Sequence, residues 1–173
     1  MKNNIFLIGF MGAGKSTVAR VMQEEYGMHL IEMDEKIEAD ENMSIAEIFA
    51  VHGEEYFRRL ETELLEGLQQ QENTVVSCGG GVPMRQCNVD AMRKSGTIVY
   101  LSTKPETVYH RVKDYHNRPL LEGNMNVPYI AKLMEKRLPG YLSAADVTVE
   151  TDGRGAAEIC REIRSLMQKS SIE

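Results

Sequence analysis

Short apolar runs alternate along the chain with longer stretches in which apolar positions recur every three or four residues. The short runs predict five strands, at residues 5–8, 29–31, 74–77, 97–101 and 146–149. The longer stretches predict amphipathic helices, and Val18, Val21 and Met22 share one such face after the first strand. Strands that alternate with helices favour a parallel α/β sheet with helices packed on both faces.

Two helix starts carry a recognisable polar pattern. Ser44 precedes Glu47, and Thr103 precedes Glu106, at the spacing of a capping box. In that arrangement a hydroxyl and a carboxylate satisfy backbone N–H groups that the first turn leaves without partners. We therefore expect one helix to begin directly after Ser44 and another directly after Thr103.

Two stretches interrupt the alternation of strands and helices. Residues 34–71 are helical in pattern throughout, which predicts a helical insert. Residues 112–128, above all 116–128, are rich in Asn, Gly and Pro, a composition typical of a mobile loop of the active-site-lid kind. We expect both stretches to be excursions from one sheet.

Length and composition predict a single soluble domain over residues 1–173. The net charge of −6 makes nucleic acid an improbable partner, because phosphate backbones are held by clustered Lys and Arg. The first apolar run is too short for a membrane span or a signal segment, so no membrane partner is expected. Three cysteines without CxxC spacing suggest neither a disulfide framework nor a zinc site, and predict a cytoplasmic protein.

The strongest motif is GFMGAGKS at residues 9–16, which matches GxxxxGK[ST] between a predicted strand and a predicted helix. Its glycines let backbone N–H groups wrap around phosphate, and the helix N-terminus adds its positive dipole end. Lys15 places a point charge near the β- and γ-phosphates, and the Ser16 hydroxyl suits direct coordination of Mg²⁺. We predict that the phosphates of a nucleoside triphosphate bind to Gly12, Ala13, Gly14, Lys15, Ser16 and Thr17.

The motif alone does not define a reaction. A glycine-rich turn between a strand and a helix is its plain structural alternative, and GTPases, ATPases and motors share it with kinases. The chain lacks the NKxD motif that reads guanine. Residues on the acceptor side therefore have to identify the reaction.

The second predicted strand ends in Glu32-Met33-Asp34, with two carboxylates two residues apart. In an extended segment such residues lie on one side, where they could serve a metal ion and a nucleophile together. The alternative is a strand-to-helix junction in which Asp34 is the N-cap.

Four further signatures follow in order, and with the phosphate loop they carry a family resemblance. They are FRR at 57–59, CGGG at 78–81, RPLL at 118–121 and KRLPGY at 136–141. In this order the chain resembles the shikimate kinase family from about residue 4 to the last helix. The resemblance implies a P-loop kinase fold with a five-stranded parallel sheet, an acceptor-binding insert at about 34–71 and a lid. It also implies a Mg²⁺-dependent monomer that uses ATP to phosphorylate a hydroxyl of shikimate, giving shikimate 3-phosphate and ADP.

The resemblance also assigns roles to single residues. Asp34 would hold the acceptor hydroxyl and take its proton, and Arg58 and Arg137 would grip the acceptor carboxylate. Arg118 would reach the phosphates from the lid and act in catalysis with Lys15 and Asp34. The glycines that would line the acceptor pocket are Gly79, Gly80 and Gly81.

Some assignments leave alternatives open. Arg111 and Arg154 lie where the family places residues beside the adenine, although both suit plain surface charges. Glu32 stands where the family usually has Asp, so its longer side chain changes the reach toward Mg²⁺, with contact through water as one solution. Cys78 is read as an unreactive buried thiol. The rival functions are a kinase for gluconate or a nucleoside monophosphate, and a nucleotide-dependent binding module without turnover.

Overall fold

Five strands form one sheet in the computed structural model, which describes residues 3–114, 123–170 and 172. The strand order is β2-β3-β1-β4-β5, and all four neighbouring pairs are parallel. This confirms the predicted parallel sheet, and every strand lies within one residue of its predicted bounds. The strands are β1 Asn4–Ile8, β2 His29–Glu32, β3 Thr74–Ser77, β4 Gly96–Ser102 and β5 Val147–Glu150.

Helices cover both faces of the sheet. Successive residues of β1 enter different apolar clusters, with Phe6 and Ile8 in one and Ile5 and Leu7 in the other. A strand buried on both faces is expected for a parallel sheet between helical layers. The helices are α1 Lys15–Tyr26, α2 Met33–Glu41, α3 Ile45–His52, α4 Glu54–Leu68, α5 Gln86–Ser95, α6 Pro105–Val112, α7 Val127–Ala144 and α8 Ala156–Ser170, with a 3₁₀ helix at Val82–Met84.

Of the two predicted capping boxes, the first is confirmed. The Ser44 hydroxyl accepts a hydrogen bond from the Glu47 N–H at 3.1 Å, and the Glu47 carboxylate accepts one from the Ser44 N–H, also at 3.1 Å. Both partners lie in the same short stretch of chain. Local sequence was therefore sufficient to define this helix start.

The second predicted box is wrong. Helix α6 has Lys104 as its N-cap, and the Thr103 hydroxyl instead shares a 2.9 Å hydrogen bond with the Thr151 hydroxyl. The carboxylate of Asp152 accepts from the Lys104 N–H at 3.0 Å and from the Thr107 hydroxyl at 2.7 Å. A residue from the loop after β5 thus satisfies the start of α6, a long-range contact that the local pattern does not contain.

Between β2 and β3 the chain consists of α2, α3 and α4, which share a small apolar cluster centred on Ile37, Ile48 and Phe57. The predicted lid spans residues 112–128, and its residues 115–122 lie outside the described residues. In the described part of the chain, no helix has the length and apolar character needed to cross a membrane. Because β1, β2 and β3 are neighbours and parallel, the loops after them meet at one edge of the sheet.

Candidate active site

The phosphate loop joins β1 to α1. Gly14, the N-cap of α1, has φ +94°, a left-handed conformation that glycine adopts without steric cost. Gly12 has φ +77°, and a Cβ there would lie only 2.8 Å from a methyl carbon of Val112 on α6. Helix α1 begins at Lys15, so the N–H groups of its first turn and its positive dipole end face the loop. The sequence motif therefore adopts the geometry of an anion site.

Lys15 lies across this loop. Its ammonium group donates hydrogen bonds to the carbonyl oxygens of Gly9 at 2.6 Å and Phe10 at 3.1 Å. A lysine held at the rim of a loop of N–H donors is placed to contact the outer phosphates of a bound nucleotide.

A hydroxyl and a carboxylate meet beside the first turn of α1. The Ser16 hydroxyl donates to Glu32 Oε2 at 2.9 Å and lies 3.4 Å from the Ser77 hydroxyl. The other oxygen, Glu32 Oε1, is buried and accepts no hydrogen bond from any residue that the structure describes. Hard oxygen donors with an unsatisfied buried carboxylate oxygen fit Mg²⁺. Within the described ranges no three His, Cys, Asp or Glu side chains form a metal-binding group.

The two carboxylates of Glu32 and Asp34 do not share one side of an extended segment, so that expectation is wrong. Glu32 is the N-cap of α2, and Asp34 lies in its first turn, so Asp34 is not the N-cap either. The helix begins between them, at Met33, so the alternation of side chains along an extended strand does not apply to this pair. Glu32 contacts Ser16, whereas Asp34 Oδ1 lies 3.3 Å from where a Cβ on Gly79 would stand.

Two arginines from different helices approach the glycine loop, residues 79–81, which follows β3. A Cβ on Gly80 would lie 2.7 Å from Arg137 Nη1, and a Cβ on Gly81 would lie 2.6 Å from Arg58 Nη1. Arg58 is on α4 and Arg137 is on α7. Only glycines allow both guanidinium groups to approach the backbone this closely.

Glu61 is a site residue that sequence reasoning missed. Its side chain is fully buried, its Oε1 accepts from Arg58 Nη1 at 2.8 Å, and its Oε2 would be 2.5 Å from a Cβ on Gly79. Burial raises the pKa of the Glu61 carboxyl, the neighbouring Asp34 raises it further, and the Arg58 guanidinium opposes the shift.

A sequence signal for Glu61 existed. It lies on the buried face of α4 with Phe57, Leu65 and Leu68, so a charged residue occupies an apolar stripe. Such a residue needs a partner in the fold, and Arg58 one turn before it is that partner.

The two arginines predicted near the adenine have different surroundings. Arg111 Nη1 donates to the Gly12 carbonyl at 2.8 Å, so this side chain lies over the phosphate loop. Arg154 is held by the Glu158 carboxylate at 3.0 Å and by the Glu150 carbonyl at 2.8 Å. Their roles toward adenine stay predictions. Thr17 is exposed in the first turn of α1, and Arg118 lies outside the described residues.

A parallel sheet with a phosphate loop after its first strand, and an arginine pair facing a carboxylate beside it, defines a P-loop kinase for a small anionic acceptor. The family model for shikimate kinase matches residues 11–168. The chain belongs to the shikimate kinase family.

Individual relatives agree with the family match. A shikimate kinase of Dehalococcoides mccartyi is 43% identical over 168 residues, which is 97% of this chain and 95% of that protein. A solved shikimate kinase of Acinetobacter baumannii, in complex with shikimate, is 32% identical with a TM-score of 0.92, covering 100% of this chain and 97% of that one. The shikimate kinase structure from Aquifex aeolicus is 34% identical with a TM-score of 0.80, covering 98% of each chain.

Proposed function

We propose that this chain transfers the γ-phosphoryl group of ATP to a hydroxyl of shikimate, giving shikimate 3-phosphate and ADP. The observation that carries the proposal is the approach of Arg58 and Arg137 to Gly81 and Gly80, close to the Asp34 carboxylate at Gly79. With Glu61 paired to Arg58, the two guanidinium groups and the Asp34 carboxylate around this loop suit an acceptor that has both a carboxylate and a hydroxyl.

On the acceptor side, a planar guanidinium binds a carboxylate through two parallel hydrogen bonds, which fixes the orientation of the ring that bears it. Arg58 and Arg137 would provide this grip. Asp34 would then accept a hydrogen bond from one ring hydroxyl, orient its oxygen toward the γ-phosphate and take its proton. Fixing both ends of the acceptor in this way provides the in-line geometry that phosphoryl transfer needs.

On the nucleotide side, Lys15 would exchange its contacts with the carbonyls of Gly9 and Phe10 for contacts with the β- and γ-phosphates. The N–H groups at the start of α1 add positive potential at the same place. Arg118 would complete the charge neutralisation from the lid once both substrates are bound.

Magnesium is part of the proposal. Ser16 would coordinate the ion directly, and Glu32, already in contact with the Ser16 hydroxyl, would bind it through water. The bound ion would neutralise oxygens of the β- and γ-phosphates. Glu32→Gln should therefore weaken binding of Mg²⁺-ATP more than binding of metal-free ATP, as titration calorimetry with and without chelator would measure.

The proposal also covers the protein around the site. We propose a monomeric cytoplasmic enzyme with one domain, in which residues 34–71 bind the acceptor and residues 112–128 act as the lid. The cysteines support a reducing location, because Cys78, Cys87 and Cys160 all carry free thiols. Burial raises the pKa of the Cys78 thiol, which keeps it protonated and unreactive.

Measurement of ADP release with a panel of acceptors tests the proposal. We expect release with shikimate and Mg²⁺, none without acceptor, and loss of turnover when Mg²⁺ is chelated. Release with gluconate or a nucleoside monophosphate, but not with shikimate, would identify a different small-molecule kinase. Binding of ATP without turnover of any acceptor would identify a binding module.

A further inference from the structure

The signature at residues 136–141 contains more than the arginine that the proposed function uses. Tyr141 lies one helical turn after Arg137 on α7 and is only 1% exposed. Its ring stacks on the ring of Tyr100 with a centroid distance of 5.1 Å and an interplanar angle of 17°. Packing on β4 therefore fixes the ring, and the hydroxyl points from a rigid base.

The Tyr141 hydroxyl serves two parts of the acceptor site at once. It donates to the carbonyl oxygen of Gly80 at 2.7 Å, and the Arg137 guanidinium lies beside the same residue: a Cβ on Gly80 would be 2.7 Å from Arg137 Nη1 and 3.7 Å from the Tyr141 oxygen. Burial raises the pKa of Tyr141 to about 12, so the phenol keeps the proton that it donates. One buried hydroxyl thus links the arginine to the glycine loop.

Through the Gly80–Gly81 peptide, the Tyr141 hydroxyl also affects the N–H group of Gly81. The carbonyl of Gly80 and the N–H of Gly81 belong to the same planar trans peptide and point in opposite directions. When Tyr141 holds the carbonyl on one side, it also fixes the direction of the Gly81 N–H on the other. The orientation of the loop backbone beside Arg58 therefore depends on this hydroxyl.

Two residues between Arg137 and Tyr141, Pro139 and Gly140, lie where α7 passes the glycine loop. A Cβ on Gly140 would lie 2.5 Å from the terminal carbon of Met84, so glycine lets α7 approach the 3₁₀ helix that follows the glycine loop. Pro139 has no N–H and interrupts the hydrogen-bond ladder inside α7.

We propose that Tyr141 is a positioning residue for acceptor binding, whose hydroxyl holds the Arg137 guanidinium and the Gly80–Gly81 peptide in the arrangement that receives the acceptor carboxylate. The inference rests on the proposed function and adds a residue to it. The described contacts of the hydroxyl are on the acceptor side, so its loss should act on the acceptor and not on ATP.

Tyr141→Phe tests this, with Tyr100→Phe as a matched control from the same stacked pair. Tyr100 is the control because both tyrosines are buried and stacked on each other, and each variant removes one hydroxyl and keeps its ring. For Tyr141→Phe we expect the KM and Kd for shikimate to rise about tenfold, while those for ATP change less than about twofold. Tyr100→Phe should leave the constants for both substrates near those of the unaltered chain.

A double-mutant cycle with Arg137→Lys provides the second measurement. If Tyr141 acts through Arg137, the combined variant should weaken shikimate binding by clearly less than the product of the two single effects. Equal behaviour of Tyr141→Phe and Tyr100→Phe, or a parallel rise in the constants for shikimate and ATP, would overturn the inference. Absence of shikimate-dependent turnover in the unaltered chain would instead overturn the proposed function, and this inference with it.

Discussion

The protein has two glycine-rich loops at the same edge of its sheet, and they use glycine for different physical reasons. In the phosphate loop, Gly12 and Gly14 have positive φ angles of 77° and 94°, so the backbone itself needs glycine. In the loop at 79–81, none of the three glycines has a positive φ. There a side chain would collide with the charged groups of Glu61, Arg137 and Arg58.

The difference separates two ways of binding an anion. The phosphate loop binds through backbone N–H groups and a helix dipole, which one continuous stretch of chain provides. The acceptor loop clears space for side chains that come from α2, α4 and α7. The first loop therefore depends on local conformation, and the second depends on how separate elements pack.

The largest effect should come from Lys15→Ala in the phosphate loop. We expect kcat to fall by roughly 100- to 1,000-fold or more, because a charge aimed at the transferring phosphoryl group is lost. Acceptor binding should persist, since Arg58, Arg137 and Asp34 are untouched. ADP release, shikimate titration and circular dichroism together measure this, and near-normal turnover by a folded variant would show that the loop does not bind the transferred phosphate.

The same contrast explains how much the sequence predicted. The phosphate loop is local, so its motif and its position between β1 and α1 were readable, as were the strands and the Ser44 cap. The separate contacts of Glu32 and Asp34 were not readable, because they depend on the residue at which α2 begins. The cap on α6 comes from Asp152, which is distant in sequence.

The acceptor site was predicted only through family resemblance. Nothing in the spacing of Arg58 and Arg137 indicates that both approach one loop, because the contact is made by the packing of α4 and α7 around it. The resemblance named these arginines but not Glu61 or Tyr141. Glu61 pairs with Arg58, and as a charged residue in an apolar stripe it left a sequence signal. Tyr141, which lies beside Arg137 at Gly80, is identified only by three-dimensional contacts.

The next effect in size concerns the arginine pair. Arg58→Lys or Arg137→Lys should weaken shikimate binding by about 1 to 3 kcal/mol, because lysine keeps the charge but cannot make two parallel hydrogen bonds. ATP binding should change little. Titration calorimetry with each substrate measures both constants, and an equal loss for the two substrates would contradict the division of the site into two loops.

Gly80→Ala should give a smaller effect of the same kind. Its new Cβ would press on Arg137 Nη1, and a displaced guanidinium should cost about 1 to 2 kcal/mol of shikimate affinity without loss of ATP binding. Gly12→Ala is the contrasting variant, in which strain at φ +77° should lower the melting temperature.

Gly67→Ala is the control for both substitutions. It lies in α4 with no atom within 4 Å of a new Cβ, so it should be neutral or stabilising by about 0.5 to 1 kcal/mol. If Gly80→Ala lowered the melting temperature as Gly12→Ala does, and left shikimate affinity intact, then the two loops would need glycine for the same reason.

The smallest expected effect is a pH dependence of stability that belongs to the acceptor side alone. Burial raises the pKa of Glu61 above its ordinary value of 4.5, so the folded chain binds this proton more tightly than the unfolded chain. The stabilisation from the bound proton is complete below the unfolded pKa and is lost as pH rises through the folded pKa. Relative to Glu61→Gln, the unaltered chain should therefore become less stable as pH rises through that window.

Urea unfolding in steps from about pH 4 to about pH 8 measures the difference between the two curves. Glu63→Gln, an exposed carboxylate on the same helix, controls for the loss of a surface charge. Parallel curves for Glu61→Gln and the unaltered chain would mean that the Arg58 ion pair offsets burial completely. If the unaltered chain instead became more stable relative to Glu61→Gln as pH rises, the ion pair with Arg58 would outweigh the effect of burial on Glu61.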